Sequence, residues 1–115
     1  MSTDCLFCKI AKGDIPVTRV YEDEYSLCFP DIDPKAPTHL LLIPKHHIPS
    51  HAQTTVEHRQ LLGHLLEAAA EVARMEGLDA KGYRIVINTG PDGGQSVNHL
   101  HLHILGGRHM AWPPG

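Results

Sequence analysis

The clearest patterns of apolar residues lie in two neighbouring parts of the chain. Residues 39–43 are nearly continuous in apolar side chains and Pro44 ends the run, which is typical of a central strand covered on both faces. A broad apolar stripe at helical spacing follows, made of Leu61, Leu62, Leu65, Leu66, Ala69, Val72 and Ala73. The pattern therefore predicts a buried strand followed by one long amphipathic helix.

The boundaries of the helices carry their own signals. Residues 54–57, Thr-Thr-Val-Glu, match a capping box for the start of the long helix, and Gly77 lies where it should end. Residues 5–12 predict one or two further helical turns, which Gly13 terminates. We expect one long and one short helix.

Four more segments have the composition of strands. Residues 17–21 and 25–29 predict a hairpin around the acidic turn 22–24, and residues 83–88 and 100–105 predict two strands separated by a glycine-rich loop. Together with residues 39–43 this gives an α+β fold with about five antiparallel strands. At 115 residues, we expect a single domain spanning 1–115.

Charge and composition exclude several classes of function. A formal net charge of −3 provides no basic field for a phosphate backbone, so nucleic acid is not an expected partner. The longest apolar run, residues 40–44, is far short of the ~20 residues that cross a bilayer, and the first residues lack the features of an export signal. We therefore expect a cytoplasmic protein with no membrane association, whose three cysteines are free thiols or metal ligands.

The compositional outlier is histidine, with ten residues in the chain. His99, His101 and His103 alternate with Leu100 and Leu102, so on a strand the three imidazoles would share one face. A rise of ~3.3 Å per residue separates the outer two by about 13 Å. The trio therefore cannot easily converge on one metal ion.

The histidine face has a simple alternative explanation, a solvated strand face or a metal chelated by His99 and His101 alone. The strict alternation of the three histidines, directly after a glycine-rich loop, favours a catalytic role for this face instead. Imidazole titrates near neutral pH and can act as nucleophile, general acid or phosphate ligand. The unshielded backbone N–H groups of Gly93 and Gly94, with the Ser96 hydroxyl, suit an anionic oxygen.

The run from His99 to Leu105 resembles the His-x-His-x-His signature of the histidine triad (HIT) family. The similarity extends to residues 29–32, 36–39, 43–45, 93–97 and 106–108, and to Met110. The ending Trp-Pro-Pro-Gly, residues 112–115, resembles the Hint branch of that family, the purine nucleoside phosphoramidases. The resemblance implies a HIT-like fold and a hydrolase for AMP-like purine nucleotides.

The resemblance also implies catalytic roles. His101 would attack the α-phosphorus of a nucleoside 5′-phosphoramidate and form a covalent nucleotidyl-histidine, which water would hydrolyse to the nucleoside monophosphate. Ser96 and His103 would hold phosphate oxygens or the leaving group, and His39 would help to relay a proton to the departing amine.

The implied nucleotide contacts extend beyond these residues. Asp31 would hold the ribose hydroxyls and Phe29 and Ile32 would line the base. The rest of the implied nucleotide-binding set is Asn88, Gly94, Gln95, Ser96, His101, His103 and Trp112. Trp112 is equally compatible with a hydrophobic anchor for the C-terminal tail; in Hint-like dimers such a tail reaches the partner's active site.

Cys5 and Cys8 stand at i and i+3, a spacing that recurs in tetrahedral zinc sites. Two more ligands are needed, and the resemblance assigns them to His47 and His99, with His46 competing for the former place. Such a zinc would be structural, and no organic cofactor is expected. The alternative is that both cysteines are small buried hydrophobes, and Hint proteins of the mammalian kind lack the pair.

The resemblance leaves two rival functions, a dinucleoside polyphosphate hydrolase and a non-catalytic nucleotide-binding or scaffold protein. The Trp112 tail argues against the first and the intact triad against the second. The resemblance further implies a homodimer, in which the long helix and the strand 83–88 form the contact.

Overall fold

The computed structural model describes residues 4–115, and its sheet is antiparallel throughout. In chain order the elements are α1 (Leu6–Lys12), β1 (Tyr21–Glu22), β2 (Ser26–Pro30), β3 (Thr38–Pro44), α2 (Arg59–Met75), β4 (Tyr83–Val86) and β5 (Leu102–Gly106). The strands lie in the order β1-β2-β3-β5-β4. The predicted α+β fold, with five antiparallel strands, a long helix and a short one, is confirmed.

Strand β3 occupies the centre of the sheet, and its side chains enter two separate cores. Leu40 and Leu42 pack into the cluster on the α2 side, whereas Leu41 and Ile43 pack into the cluster on the α1 side. Side chains alternate between the two faces of a strand, so a strand covered on both faces must be apolar at nearly every position. This is why the unbroken apolar run predicted β3 correctly.

Helix α2 buries a narrower face than the sequence pattern predicts. Its buried residues are Leu65, Ala68, Ala69, Val72 and Ala73, while Leu66 is 52% exposed. Each residue turns the helix by about 100°, so Leu66 lies beyond the edge of the buried stripe, and its predicted place in that stripe is wrong. The predicted end is confirmed, since α2 stops at Met75 and Gly77 has a positive φ of 72°.

The predicted capping box is displaced by one residue. A turn of 3-10 helix at Val56–His58 precedes α2, and Thr55 is its N-cap. The Thr55 side chain accepts from the Glu57 N–H, and His58 Nδ1 accepts from the Thr55 N–H. Thr54 and Glu57, the reciprocal pair that the sequence predicts, do not form it because the extra turn shifts the start of the helix.

The first hairpin is shorter than predicted. Its strand β1 covers Tyr21–Glu22 alone, whereas Val17 packs against the cluster on the α1 side. The Asp23 carboxylate accepts from the N–H groups of Tyr25 and Ser26. This turn fixes the pairing of β1 with β2.

The last strand begins at Leu102, two residues later than predicted, and β4 ends at Val86 instead of at residue 88. Pairing of β5 with β3 stops at Leu42, and the N–H of Leu100 donates instead to the carbonyl of Ile48 at 2.7 Å. His99 and His101 therefore lie in the segment that leads into β5, and only His103 is on the strand. Neither helix in the described part of the chain is long and apolar enough to span a membrane.

Candidate active site and metal-ligand cluster

The alternation of residues 99–104 persists although the strand begins late. Leu100, Leu102 and Ile104 all enter the core on the α2 side. The rings of His99 and His101 lie on the opposite side and contact Phe7 of α1, with centroid distances of 5.9 and 5.1 Å. The histidines are thus held on the α1 side by the burial of the leucines between them.

His101 has a defined tautomer. Its side chain is 4% exposed, and Nδ1 lies 2.7 Å from the backbone carbonyl oxygen of His99. A carbonyl oxygen only accepts, so Nδ1 must carry the hydrogen. In the neutral imidazole the lone pair then sits on Nε2, the form that a nucleophilic histidine requires.

A chain of hydrogen bonds also fixes His39 and His103. The backbone N–H of Lys35 donates to Nδ1 of His39 at 3.0 Å, so neutral His39 carries its hydrogen on Nε2. That nitrogen lies 2.9 Å from Nδ1 of His103 and 3.4 Å from Oδ2 of Asp31. His103 therefore accepts at Nδ1 and presents Nε2–H as a donor.

Burial keeps this pair of imidazoles neutral. It lowers the pKa of His103 to about 4, with a further contribution from the neighbouring His101 and His39. Burial likewise lowers the pKa of His39, against the opposing charge of Asp31. Near pH 7 His39 and His103 are therefore neutral, with defined donors and acceptors.

Asp31, His39 and His103 also lie close enough together to be considered as metal ligands. The hydrogen-bond geometry favours a different interpretation. The Lys35 N–H occupies the Nδ1 lone pair of His39, so the nitrogen that faces Asp31 and His103 carries a hydrogen. These three residues form a hydrogen-bonded chain instead of a metal site.

A cavity of about 270 Å³ opens beside the histidines. Phe29, Leu41 and His103 are register partners across β2, β3 and β5, so they form a continuous row in its wall. Six residues that the sequence singled out line it, namely Phe29, Asp31, Ile32, Ser96, His101 and His103; the other lining residues are Leu6, Phe7, Ile10, Val17, Pro30, Leu41 and Val97.

The glycine-rich loop lies next to this cavity, and three of its candidate residues do not line it. Gln95 donates to the carbonyls of Pro49 and Val97 and accepts from the Gly90 N–H. Asn88 donates to the Gly93 carbonyl at 2.7 Å. Gly94 has a φ of 76°, which favours glycine. Asn88, Gly94 and Gln95 thus shape the loop that presents Ser96.

Trp112 lies apart from the other candidates. It is 81% exposed, and it does not line the cavity. Arg84 holds the preceding tail through bonds to the carbonyls of Met110 and Ala111. Within one chain, Trp112 is neither a buried anchor nor part of the site.

The four predicted metal ligands converge. The ligand atoms of Cys5, Cys8, His47 and His99 lie within 4.8 Å of one another. His99 Nδ1 is 3.3 Å from Cys5 Sγ, 3.5 Å from Cys8 Sγ and 3.1 Å from His47 Nδ1. A tetrahedral zinc keeps a sulfur and a nitrogen ligand about 3.5 Å apart. The donor set and its spacing therefore fit zinc, and His47, not the exposed His46, completes the set.

His99 is prepared to act as a ligand. Its Nε2–H donates to the carbonyl of Pro44 at 2.8 Å, which leaves the Nδ1 lone pair facing the two sulfurs. Burial lowers the pKa of His99 to about 4, so the ring is neutral. Burial and the neighbouring Cys5 raise the pKa of Cys8 to about 11. A bound cation would lower this pKa again, because it stabilises the thiolate.

Sequence reasoning did not identify the contribution of α1 to the cavity. Leu6, Phe7 and Ile10 line it together with Val17. The sequence did offer one indication, since Phe7 and Ile10 stand at i and i+3 and give this short helix an apolar face. Such a face requires a partner, and the partner is the histidine side of the sheet.

Two further histidines and the third cysteine have structural roles. His64 Nε2 lies 2.8 Å from the Asp23 carboxylate, so this histidine fastens α2 to the first hairpin. His58 caps the turn before α2. Cys28 is fully buried, and burial raises its pKa to about 12.

Comparisons with known proteins agree with this geometry. The family model for the HIT domain matches residues 12–110. An uncharacterized HIT-like protein of Synechococcus elongatus is 55% identical over 115 residues, all of both chains. A 14 kDa zinc-binding protein of Zea mays is 54% identical over 112 residues, 96% of this chain and 87% of that protein.

Solved structures give the same result. A HIT family hydrolase from Legionella pneumophila Philadelphia 1 aligns with a TM-score of 0.96 and 54% identity, over 97% of this chain and 100% of that chain. A histidine triad nucleotide-binding protein from Candida albicans aligns with a TM-score of 0.82 and 31% identity, over 96% of this chain and 83% of that chain.

Proposed function

This chain belongs to the HIT domain family, and we propose that it is a nucleoside phosphoramidase of the Hint-like branch. It would bind an AMP-like purine nucleotide and cleave the P–N bond of a nucleoside 5′-phosphoramidate to release the nucleoside monophosphate. Support for hydrolysis and for nucleotide binding also comes from the names of the Legionella and Candida relatives.

One observation carries the proposal. His101 and His103 border the same cavity, and their hydrogen bonds leave a lone pair on Nε2 of His101 and a hydrogen on Nε2 of His103. A nucleophile and a donor for phosphate oxygens are the two groups that attack on phosphorus needs.

In the first step His101 Nε2 attacks the α-phosphorus. A nitrogen–phosphorus bond to His101 forms and the bond to the amine breaks. The amine leaves with a proton that it takes from solvent through His103 and His39. Ser96 and His103 stabilise the charge on the phosphate oxygens. Asp31, 3.4 Å from His39 Nε2, stabilises the positive charge that the pair carries while this proton passes through it.

In the second step water attacks the same phosphorus and the bond to His101 breaks. The water proton replaces the one that the amine took, so the site returns to its starting state. Two displacement reactions with lower barriers thus replace one reaction with a high barrier.

The apolar wall of the cavity suits a base and its polar rim suits the rest of the nucleotide. We assign Phe29 and Ile32 to the base and Asp31 to the ribose hydroxyls. Asn88, Gly94 and Gln95 act by shaping the loop that carries Ser96, a role that the bonds of Gln95 to residues 49 and 97 support.

We propose a structural zinc ion held by Cys5, Cys8, His47 and His99, supported by the spacing of their ligand atoms and by the name of the maize relative. Such an ion would supply no reaction chemistry, because four protein ligands close its coordination sphere. It would cross-link α1 to the segments that follow β3 and precede β5.

We also propose that the chain forms a homodimer through β4 and α2. Within the described residues β4 pairs with β5 along one edge alone, and Tyr83, Ile87 and Leu66 are exposed. An unpaired strand edge with apolar neighbours is a common docking surface. The exposed tail with Trp112 would then reach the partner's cavity.

Hydrolysis of a fluorogenic adenosine phosphoramidate tests the proposed activity. Wild type should cleave it, and His101→Ala should abolish cleavage. AMP binding without cleavage in the wild type would favour a nucleotide-binding module. Faster cleavage of a dinucleoside polyphosphate than of the phosphoramidate would favour the rival hydrolase.

A further inference from the structure

Helix α1 takes part in two sites at once. Cys5 and Cys8 belong to the metal-ligand cluster. Leu6, Phe7 and Ile10, between and just after them, line the cavity beside the catalytic histidines. The ligand cluster and the cavity therefore share one short element and cannot move independently.

Phe7 makes the closest connection. It is 4% exposed, and its ring centroid lies 5.1 Å from that of His101 and 5.6 Å from that of Phe29, both at edge-to-face angles. It thus touches the proposed nucleophile on one side and the proposed base pocket on the other. Cys8, the next residue along the chain, is a cluster ligand.

A second connection runs through the backbone. His99 gives its Nδ1 to the cluster, and its carbonyl oxygen accepts the Nδ1–H of His101 at 2.7 Å. The two groups that contact the His101 imidazole, the Phe7 ring and the His99 carbonyl, therefore both belong to segments that supply cluster ligands.

The helix itself provides little independent rigidity. It has seven residues, and Cys5 is its N-cap, with Sγ accepting from the Cys8 N–H at 3.3 Å. Helices this short are unstable alone, so α1 depends on its contacts. Closing the cluster would link it to residues 47 and 99, far away in the sequence.

We propose that Phe7 is a positioning residue that couples the metal-ligand cluster to the active site. Occupancy of the cluster by zinc holds α1 against the sheet, so that the Phe7 ring packs on His101 and completes the nucleoside cavity. The part of this inference that concerns turnover rests on the proposed phosphoramidase activity. The part that concerns the His101 ring and AMP affinity does not.

Phe7→Leu tests the positioning role, with Phe29→Leu as its matched control. Both substitutions remove an aromatic ring from the cavity wall, and both should weaken AMP binding in calorimetry and raise KM. Phe7→Leu alone should shift the ring signals of His101 in a 1H–13C spectrum and lower kcat, by about tenfold for a slight misplacement of the nucleophile. Equal effects of the two variants on the His101 signals would overturn the proposal.

Zinc titration tests the coupling to the cluster. Metal-free wild-type protein should bind AMP about tenfold more weakly than zinc-loaded protein, within the range typical of coupled sites. Its His101 signals should move in the direction that Phe7→Leu moves them. In Phe7→Leu itself, zinc should change AMP affinity much less, because the connecting ring is gone.

Equal AMP affinity with and without added zinc would overturn the coupling, and so would a zinc effect of the same size in wild type and Phe7→Leu. The measurements of AMP affinity and of the His101 signals require no turnover. A protein that fails to cleave the phosphoramidate but shows the zinc-dependent shift refutes the proposed activity and leaves the coupling intact.

Discussion

Nε2 of His39 lies 2.9 Å from Nδ1 of His103, across the neighbouring strands β3 and β5. His39 is the register partner of Leu105, so it meets His103 diagonally on the same face of the sheet. The Lys35 N–H decides the direction of the bond by occupying the other nitrogen of His39. A backbone group thereby determines that the hydrogen of His103 lies on Nε2.

Substitution of His39 separates two roles of this bond. His39→Ala should lower kcat by about 10²-fold, in line with loss of a positioned proton-transfer group. His39→Gln can still donate to His103 Nδ1, so it should keep AMP affinity near that of wild type while kcat stays low. Steady-state kinetics and calorimetry measure both quantities.

His51→Ala is the matched histidine control for these variants, since His51 is exposed in a separate 3-10 turn, His51–Gln53. It should behave as wild type. Full recovery of kcat in His39→Gln would contradict proton relay and leave only a role in holding the His103 tautomer.

Acid sensitivity follows from the neutral state of His103. Its pKa is about 4 in the folded protein against 6.5 for the free side chain. As the pH falls from 6.5 towards 4, the unfolded chain takes up this proton and the folded chain does not, so stability is lost in that window. Above about pH 6.5 the contribution is complete.

His103→Gln removes that proton uptake and should lose less stability between pH 7 and pH 5 than wild type. Urea unfolding at the two pH values, with the difference compared between the proteins, measures it. An equal loss in both proteins would show that His103 does not titrate as its burial requires.

Metal content should distinguish two adjacent histidines. His47→Ala removes a cluster ligand, so we expect this variant to retain little zinc. It should also unfold at a lower temperature than wild type, because an ion that binds the folded state and not the unfolded state stabilises the folded protein. His46→Ala is the control, since His46 is exposed and its ring lies 6.4 Å from that of His58.

Elemental analysis of the purified variants measures the zinc. The expected content is one equivalent per chain in wild type and in His46→Ala. Less than about half an equivalent in carefully prepared wild-type protein would count against a structural site that closes four ligands.

The sequence predicted those parts of the structure that depend on short stretches of chain. The apolar run of β3, the stop at Gly13 and the long helix each have a local cause, and each is confirmed. Leu66 was wrongly placed because a periodic pattern does not reveal the width of the partner surface. The start of β5 was wrong because Leu100 bonds to Ile48, a contact between distant segments.

Contacts between distant segments also limited what could be predicted of the site. The i, i+3 spacing pointed to Cys5 and Cys8 and the resemblance to His47 and His99, and the fold brings the four ligand atoms together. Phe7 was missed because its contact with His101 joins residues that are far apart in the sequence. Gln95 was assigned to the nucleotide, but its side chain bonds within and beside its own loop, which no motif reports.

Gly93 tests whether the loop geometry supports Ser96. A Cβ at Gly93 would overlap the carbonyl oxygen of Thr89 and lie 2.8 Å from its nitrogen. These are backbone atoms that cannot rotate away, so Gly93→Ala should cost about 1–3 kcal/mol of stability and lower kcat through displacement of Ser96.

Gly63→Ala is the matched control. Gly63 lies within α2, and a methyl group added there would meet nothing within 4 Å outside the helix's own backbone. The change should therefore raise stability by about 0.5–1 kcal/mol and leave kcat unchanged. Chemical denaturation and steady-state kinetics measure both variants. Unchanged stability in Gly93→Ala would contradict the tight turn.

In the proposed mechanism His101 becomes covalently nucleotidylated during P–N cleavage. Wild-type protein should be mixed rapidly with an adenosine phosphoramidate, quenched within the first turnover and analysed as intact protein and peptides by mass spectrometry. We expect an added adenylyl group on His101 that forms and decays at rates compatible with kcat. Turnover without that adduct, or an adduct on another residue, would contradict it.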